Sequence, residues 1–470
     1  MLTLSVEMLL EVVGGELVAG DQSVMVNGLT TDSRRVEPGM AFVALAGERV
    51  DGHDYIAEAL SCGARAAVVT GDTESIASAL EAAHERDAAV VRVEDALVAI
   101  QDLASYHRNR LFCPVIGVTG STGKTTTKDF LHNVLSLHSR VVATEGNQNN
   151  ELGVPFTILR AGADTDILVV EMAMRGLGQI EHLCEIAKPI AGLVTNVGTS
   201  HLEMLGSQEA IASAKGELVR GVPDDGRVFL NADDPISLML ADETVAEVVT
   251  YGLKEDADVR ADDIRIDEES CASFTLHTPD GEREIHLSVP GRHNVYNALA
   301  AAAVSTYLEV SLDDVVEGLS SAHAGEMRMQ IFQSASGIHV INDAYNANPS
   351  SMRAAIETLA EMQTNGERIA VLGDMAELGS LTELAHFRIG EEIARLPVDV
   401  LVTIGEKARR IADGARAEGM DEASIHPCAT PEEASEVLDD VVRPSDVVLV
   451  KASRVMGLER VVEGIVEPRV

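Results

Sequence analysis

The segment Val115–Thr127 reads Val-Ile-Gly-Val-Thr-Gly-Ser-Thr-Gly-Lys-Thr-Thr-Thr: an apolar run, a glycine-rich turn, and a helix expected to begin near Thr125. Gly120 and Gly123 let a backbone wrap closely around an anion. The successive N–H groups of Gly120, Ser121, Thr122, Gly123, Lys124, Thr125 and Thr126, with the helix N-terminus, then point at it. Lys124 would reach the β- and γ-phosphates, and the Thr125 hydroxyl suits Mg²⁺. Val118 stands where G-x-x-x-x-G-K-[ST] has its first glycine, so the motif is the variant T-G-x-x-G-K-T-T. A ligand-free turn is the alternative; the adjoining Lys-Thr-Thr favours a nucleoside triphosphate. Such a loop alone does not separate a GTPase switch, a kinase, a motor and a ligase. Further along, DILVVEMAM sets Glu171 near the carboxyl end of a strand, where a carboxylate suits Mg²⁺ or an ordinary salt bridge. TNVGTSHLE sets His201 after the next strand, and QEAIASAKGEL sets Lys215 on a helix, where a lysine is ordinarily a solvated surface group.

Parallel strands buried on both faces are the elements that can hold these residues along one edge. PVIGV, DILVVEM, IAGLVTNV and GRVFLNA alternate with helical pattern from Pro114 onward, the signature of such a sheet. Before them MAFVAL, RAAVVT and AAVVRV alternate with helical stretches, and a helix is expected over 96–108. Residues 255–290 are more polar and read as antiparallel strands with a D-G turn at Asp280–Gly281. After the Ala-rich helix NALAAAAVSTYL come IHVINDAY, RIAVLGDM, VDVLVTIG and DVVLVKAS, four predominantly parallel strands. The expected fold is therefore α/β with three domains: a small N-terminal module over 1–90, a central P-loop module with a mostly parallel sheet over 91–322, and a C-terminal Rossmann-like module over 323–470.

The 470 residues are 46% hydrophobic and carry 36 Lys+Arg against 76 Asp+Glu, a formal charge of −40. So acidic a body repels phosphate backbones and anionic membranes, so neither nucleic-acid binding nor membrane insertion is expected. An anionic ligand must meet a locally basic pocket. Only seven of the 36 cations are lysines. Excess carboxylate with scarce lysine fits a protein adapted to high salt; a GC-rich genome would also favour arginine. The five cysteines lie far apart with no C-x-x-C pair, as for free thiols in a reducing cytoplasm. The N-terminus has no basic n-region, so a signal peptide is not expected.

The ordered blocks TDSRRVEPGMAFVALAGERVDGHDY, GVTGSTGKTTTKDF, TEGNQNNELGVP, EMAMRGLGQIEHL, TNVGTSHLEMLGS, AKGEL, LNADDP, PGRHNVYNALAAAA, NDAYNANPSSM, VLGDMAELG and VKASR resemble those of the Mur ligases over essentially the whole chain. Within that family GNQNNELGVP, DAYNANPSSM and LGDMAELG look like the branch that adds a dipeptide. The resemblance implies a monomeric cytoplasmic enzyme of peptidoglycan precursor synthesis. It would join D-alanyl-D-alanine to UDP-N-acetylmuramoyl-tripeptide with ATP, through an acyl phosphate. It implies two Mg²⁺ sites, with Thr125 and Glu171 at the first, and His201 and a carbamylated Lys215 at the second. It also implies that Asn294, three residues before Asn297 on one helix face, reads the adenine, with helix capping as its structural alternative. Arg328, Asp343, Tyr345 and Asn346 would close over the nucleotide. Asp32, Ser33 and Arg34 would hold the uridine diphosphate, or simply form a turn. Asn147, Asn149 and Asn150 would contact that substrate, and Lys451 and Arg454 the dipeptide side. AGEMRMQ departs from the P-G-R version of some members around Arg328, and Ala452 stands where some have Gly. The rival readings are a sister ligase adding one amino acid, a folylpolyglutamate-type synthetase, and, in a different class, a non-catalytic P-loop switch.

Overall fold

The computed structural model describes residues 2–47, 50–72, 76–198, 200 and 202–466. The chain forms two compact units, one of residues 1–117, 139–173 and 179–190, the other of 118–138, 174–178 and 191–470. Both are mixed α/β with mostly parallel sheets.

In the first unit the strands Glu16–Ala19, Ala89–Arg92, Ala66–Val69, Ala41–Val43 and Leu29–Thr30 lie in that order, the first pair antiparallel and the rest parallel. Ala66–Val69 is buried at every residue, as expected of a strand covered on both faces. The same unit pairs Ile167–Glu171 in parallel with Val141–Ala143. The helix Ala96–Arg108 occupies the span expected of it, capped by Asp95, whose Oδ1 accepts from the N–H groups of Leu97 and Val98 at 2.7 and 3.1 Å.

In the second unit Ala191–Val194, Arg227–Asn231, Glu247–Gly252 and Val259–Ile266 run parallel, and the sheet then turns antiparallel through Cys271–Thr278 and Gly281–Pro290. The expected turn at Asp280–Gly281 is present, with Gly281 at φ +131°, so the polar 255–290 stretch lengthens an existing sheet.

The C-terminal sheet has six strands where the sequence pattern suggests four: Gln330–Gln333, His339–Asn342, Val447–Lys451, Arg368–Gly373, Val400–Ile404 and Ile425–Cys428, in that order. Both additions are short edge strands, the first antiparallel with a glutamine at each end, the second carrying Pro427, features that mask a strand in sequence and are tolerated at an edge. Along the inner strands successive side chains serve opposite cores. Ala370 and Leu372 pack with the helices Pro349–Glu361, Thr382–Ile393 and Arg409–Glu418. Ile369 and Val371 pack with Pro431–Val441 and Glu459–Val466. The chain leaving His339–Asn342 therefore goes to one face, and the chain leaving its neighbour Val447–Lys451 goes to the other. Where neighbouring connections part in this way, an open parallel sheet has a crevice at the carboxyl ends of its strands.

Candidate functional site

The strand Val115–Thr119 ends in the glycine turn, and the helix Lys124–Leu135 starts at Lys124, one residue before the expected start. The left-handed φ of +78° at Gly123 directs the chain into that helix. The loop is braced by residues just beyond the strand Ala191–Val194. Asn196 accepts from the Thr122 N–H at 3.0 Å and donates to the Thr122 hydroxyl at 2.9 Å, while Thr195 Oγ1 donates to the Thr122 carbonyl at 2.6 Å. Ser121 Oγ accepts from the Gly198 N–H at 2.8 Å. Behind the brace, Tyr251 donates to the carbonyls of Val194 and Thr195, and burial raises its pKa, so the phenol stays a donor. Lys124 Nζ donates to the Gly120 carbonyl at 2.7 Å, folded along the loop it would serve.

On the helix side Asn297 Oδ1 accepts from Thr127 Oγ1 at 3.3 Å, and its amide donates to Asn294 Oδ1 at 2.8 Å. The Asn294 amide donates in turn to the Pro290 carbonyl at 2.7 Å, and Asn294 is buried. Both ends of the Asn294 carboxamide are thus engaged within this bracket.

Lys215 lies within the helix Gln208–Arg220 at 2% exposure, far from the solvated lysine expected of such a helix. Burial holds its pKa well below the ordinary lysine range, and the charge of Lys124 adds to the effect. Two residues on, buried Glu217 accepts from the Gly178 N–H at 2.6 Å. His201 lies outside the described residues.

In the first unit Glu171 ends the strand Ile167–Glu171 at 1% exposure. Its Oε1 accepts from the Asn149 amide at 2.8 Å, and its N–H donates to Thr144 Oγ1 at 2.9 Å. Asn150 Oδ1 accepts from the Gly153 N–H at 3.0 Å, and the Asn147 carbonyl accepts from the Asn149 N–H at 2.8 Å. The Asn150 side chain and the Asn147 backbone therefore shape the loop, and the Asn149 amide orients the carboxylate. Asp32 accepts from the N–H, Nε and Nη2 of Arg34, which holds its carboxyl below the usual range, and Ser33 donates to Glu58 at 3.0 Å.

At the C-terminal crevice the Arg328 guanidinium lies 3.9 Å from the Tyr345 ring centroid. Met327 and Met329, on either side of it, have φ of +54° and +53°, a conformation costing about 1–3 kcal/mol for a non-glycine residue. Asn346 Oδ1 accepts from the Ala347 N–H at 2.9 Å. Lys451, expected to meet a dipeptide, is 2% exposed and turned inward onto Asp343 and the Asn346 carbonyl, at 2.6 and 2.8 Å. Arg454 is half exposed and paired with Glu459. Sequence reasoning missed Thr195 and Asn196 as braces and Asn149 as the partner of Glu171. Their one signal was a polar pair closing an apolar strand, in TNVG, and an asparagine run.

Among the described residues no three His, Cys, Asp or Glu side chains gather as a protein-only metal site. A hydroxyl and a carboxylate completed by phosphate oxygens is nonetheless a donor set that suits magnesium, which keeps several waters and binds through few protein groups. No helix among the described residues is long and apolar enough to cross a membrane.

Three family profiles match in succession: "Mur ligase family, catalytic domain" over 25–108, "Mur ligase middle domain" over 118–305 and "Mur ligase, glutamate ligase domain" over 327–454. The chain is 36% identical over 468 residues to the UDP-N-acetylmuramoyl-tripeptide–D-alanyl-D-alanine ligase of Bacillus subtilis, covering 99% of both. A crystal structure of MurF from Acinetobacter baumannii superposes with a TM-score of 0.87 at 30% identity, covering 99% of both chains. MurF ligase from Thermotoga maritima in complex with ADP gives 0.78 at 31%, over 93% of this chain and 96% of that one.

Proposed function

The chain belongs to the Mur ligase family, and from that premise we propose that it joins D-alanyl-D-alanine to UDP-N-acetylmuramoyl-tripeptide with cleavage of ATP to ADP and phosphate. The observation that carries this is the end-to-end likeness to the Bacillus subtilis ligase, which leaves no module of that enzyme unmatched. A braced phosphate loop and the ADP complex of the Thermotoga maritima relative support the nucleotide half.

A carboxylate is a poor electrophile. In the first step the terminal carboxylate oxygen of the tripeptide bonds to the γ-phosphorus while the bond to the β,γ-bridging oxygen breaks, giving an acyl phosphate and ADP. The amine of the dipeptide then attacks the acyl carbon, loses a proton, and expels phosphate. The work of the protein is to bring anions together and hold them in line. The loop Gly120–Thr126 receives the phosphates and Lys124 adds charge, while the N–H groups of Ser121 and Thr122, expected to point at the anion, are instead donated to Asn196 at 3.0 Å each. Thr125 and Glu171 would hold one magnesium ion, His201 and Lys215 a second. Magnesium bound there would neutralise phosphate charge.

Lys215 fits that role as a carbamate. Burial disfavours the ammonium form of Lys215, and an amine that has given up its proton can add CO₂ with loss of a further proton, yielding a carboxylate-type oxygen donor where an ammonium would repel the metal. Asn294, Arg328, Asp343, Tyr345 and Asn346 serve the nucleotide. Asp32, Ser33, Arg34, Asn147, Asn149 and Asn150 serve the UDP substrate, and Arg454 the dipeptide side. The three modules are 1–90, 91–322 and 323–470, and the reaction belongs in the cytoplasm, where these soluble precursors are made. Closure over the acyl phosphate would exclude water.

Phosphate release from Mg·ATP, measured with both substrates and with each omitted, tests the reading. Release that needs tripeptide and dipeptide together, with a pentapeptide product by mass, is expected. Release supported by a single amino acid would move the chain to a sister ligase, and release indifferent to all of them would replace the reading with a nucleotide switch.

A further inference from the structure

Beside the crevice of the C-terminal sheet sits a buried ion pair, Lys451–Asp343, whose lysine has no stated role in the proposed reaction. Lys451, the last residue of the strand Val447–Lys451, is among the largest fully buried side chains. Two of its three donors are committed, to Asp343 Oδ2 at 2.6 Å and to the Asn346 carbonyl at 2.8 Å. The other carboxylate oxygen of Asp343 accepts from the Met329 N–H at 3.2 Å. On the other side of Arg328, the Met327 carbonyl accepts from the Tyr345 N–H at 3.1 Å.

Those two bonds fall on the two residues with left-handed φ. Methionine holds such a conformation only where its surroundings over-determine it. The carboxylate and the Tyr345 N–H thus pin the backbone on both sides of Arg328 and set its guanidinium against the Tyr345 ring. A carboxylate as enclosed as that of Asp343, whose side chain is 13% exposed, stays turned inward only while a cation faces it. Lys451 supplies that cation.

We propose that Lys451 is a positioning residue for the nucleotide: through Asp343 it holds the Met327–Met329 backbone that aims Arg328, and it does not touch the dipeptide. The inference rests on the proposed function, in which Arg328, Asp343 and Tyr345 face ATP. Without the ammonium, Asp343 turns toward water and releases the Met329 N–H. The strained segment then relaxes, and Arg328 loses its direction without being altered itself.

The test is Lys451→Met beside Lys451→Gln, whose amide can still donate to Asp343 and which remains readable should the methionine variant fail to fold. Calorimetry with a non-hydrolysable ATP analogue and Mg²⁺, without other substrates, reads the nucleotide step alone. Steady-state kinetics then give KM values for ATP, tripeptide and D-Ala-D-Ala. Analogue affinity and the KM for ATP should weaken about tenfold or more in Lys451→Met, and less in Lys451→Gln, with the KM for D-Ala-D-Ala within about twofold of wild type. A rise confined to the dipeptide KM overturns the proposal. So does a fall in melting temperature with nucleotide affinity kept. Because the calorimetry contains no dipeptide, a wild-type enzyme that binds the analogue but ignores D-Ala-D-Ala counts against the proposed reaction and leaves this inference standing.

Discussion

Gly123→Ala tests how tightly the phosphate loop is built. At φ +78° a Cβ on residue 123 would lie 2.3 Å from Asn297 Oδ1 and 3.3 Å from its Cγ. Left-handed backbone costs alanine about 1–2 kcal/mol. The carboxamide cannot swing aside freely, because Thr127 holds its oxygen, Asn294 its nitrogen, and Pro290 fixes Asn294. Moving it breaks one or two buried hydrogen bonds, about 1–3 kcal/mol more. If nucleotide binds the loop in its present shape, the total of about 2–5 kcal/mol weakens ATP about thirtyfold to more than a thousandfold. Asn297→Ala removes the obstacle, so only the backbone cost should remain in the double variant. The two changes should then be less than additive by about 1–3 kcal/mol. Titration calorimetry with an ATP analogue on all four proteins reads this directly. Affinity of Gly123→Ala within threefold of wild type, or additive effects, would refute the argument.

Lys215→Ala should lose activity and regain part of it with a small added carboxylate, which can take the place of the carbamate oxygens; loss without rescue counts against carbamylation. His293 offers a pH prediction. Burial pushes its pKa down to about 4, against opposing influence from Asp343 and with help from Lys451. The unfolded chain, titrating near 6.5, binds the extra proton first, so stability is complete above about 6.5 and falls as pH drops toward 4, by at most about 3 kcal/mol. Denaturant midpoints should show that slope, and His293→Gln should flatten it; an unchanged slope would dismiss His293 as its source. Folding and activity should rise toward molar KCl, where the screening length shrinks to about 3 Å and self-repulsion of the acidic body fades; an optimum in low salt would remove the high-salt reading.

What could be read from sequence was whatever local spacing determines. The glycine turn between apolar strand and helix carries its own geometry. The strand series carries its burial on both faces, and Asp280–Gly281 its turn. Contacts closed through space were not legible. Asn196 reaches Thr122 across 74 positions and Asn297 reaches Thr127 across 170, and nothing in either segment names the other. The partner of Lys451 was hidden for the same reason, since VKAS looks alike whether its lysine faces a ligand or the carboxylate of Asp343, 108 residues away. Asp32 illustrates the opposite case. Its self-contained turn with Arg34 was legible as a turn, but a turn of that kind is compatible with ligand binding and with none.

The distribution of cations resolves how so acidic a chain can bind a nucleotide. Three of the seven lysines, Lys128, Lys215 and Lys451, are buried, although lysine is among the residues least often found inside. Exposed ion pairs such as Arg353–Glu392 and Arg395–Glu418 use arginine. Codon drift toward arginine would exchange one cation for another and leave the charge as it was. With seven lysines among 36 cations, the remaining 29 arginines fit such drift, but 76 carboxylates against those 36 do not. The net charge, not the arginine preference, is therefore the composition's argument for a salt-adapted surface. The interior obeys a different requirement: an ammonium on a flexible stem is a compact point charge that can lose its proton and be converted to a carbamate, whereas a guanidinium keeps its charge. On the proposed reading, anion binding would depend on Lys124 and the backbone of one loop, whose field acts over a few ångströms, while the surface charge is screened beyond about one Debye length.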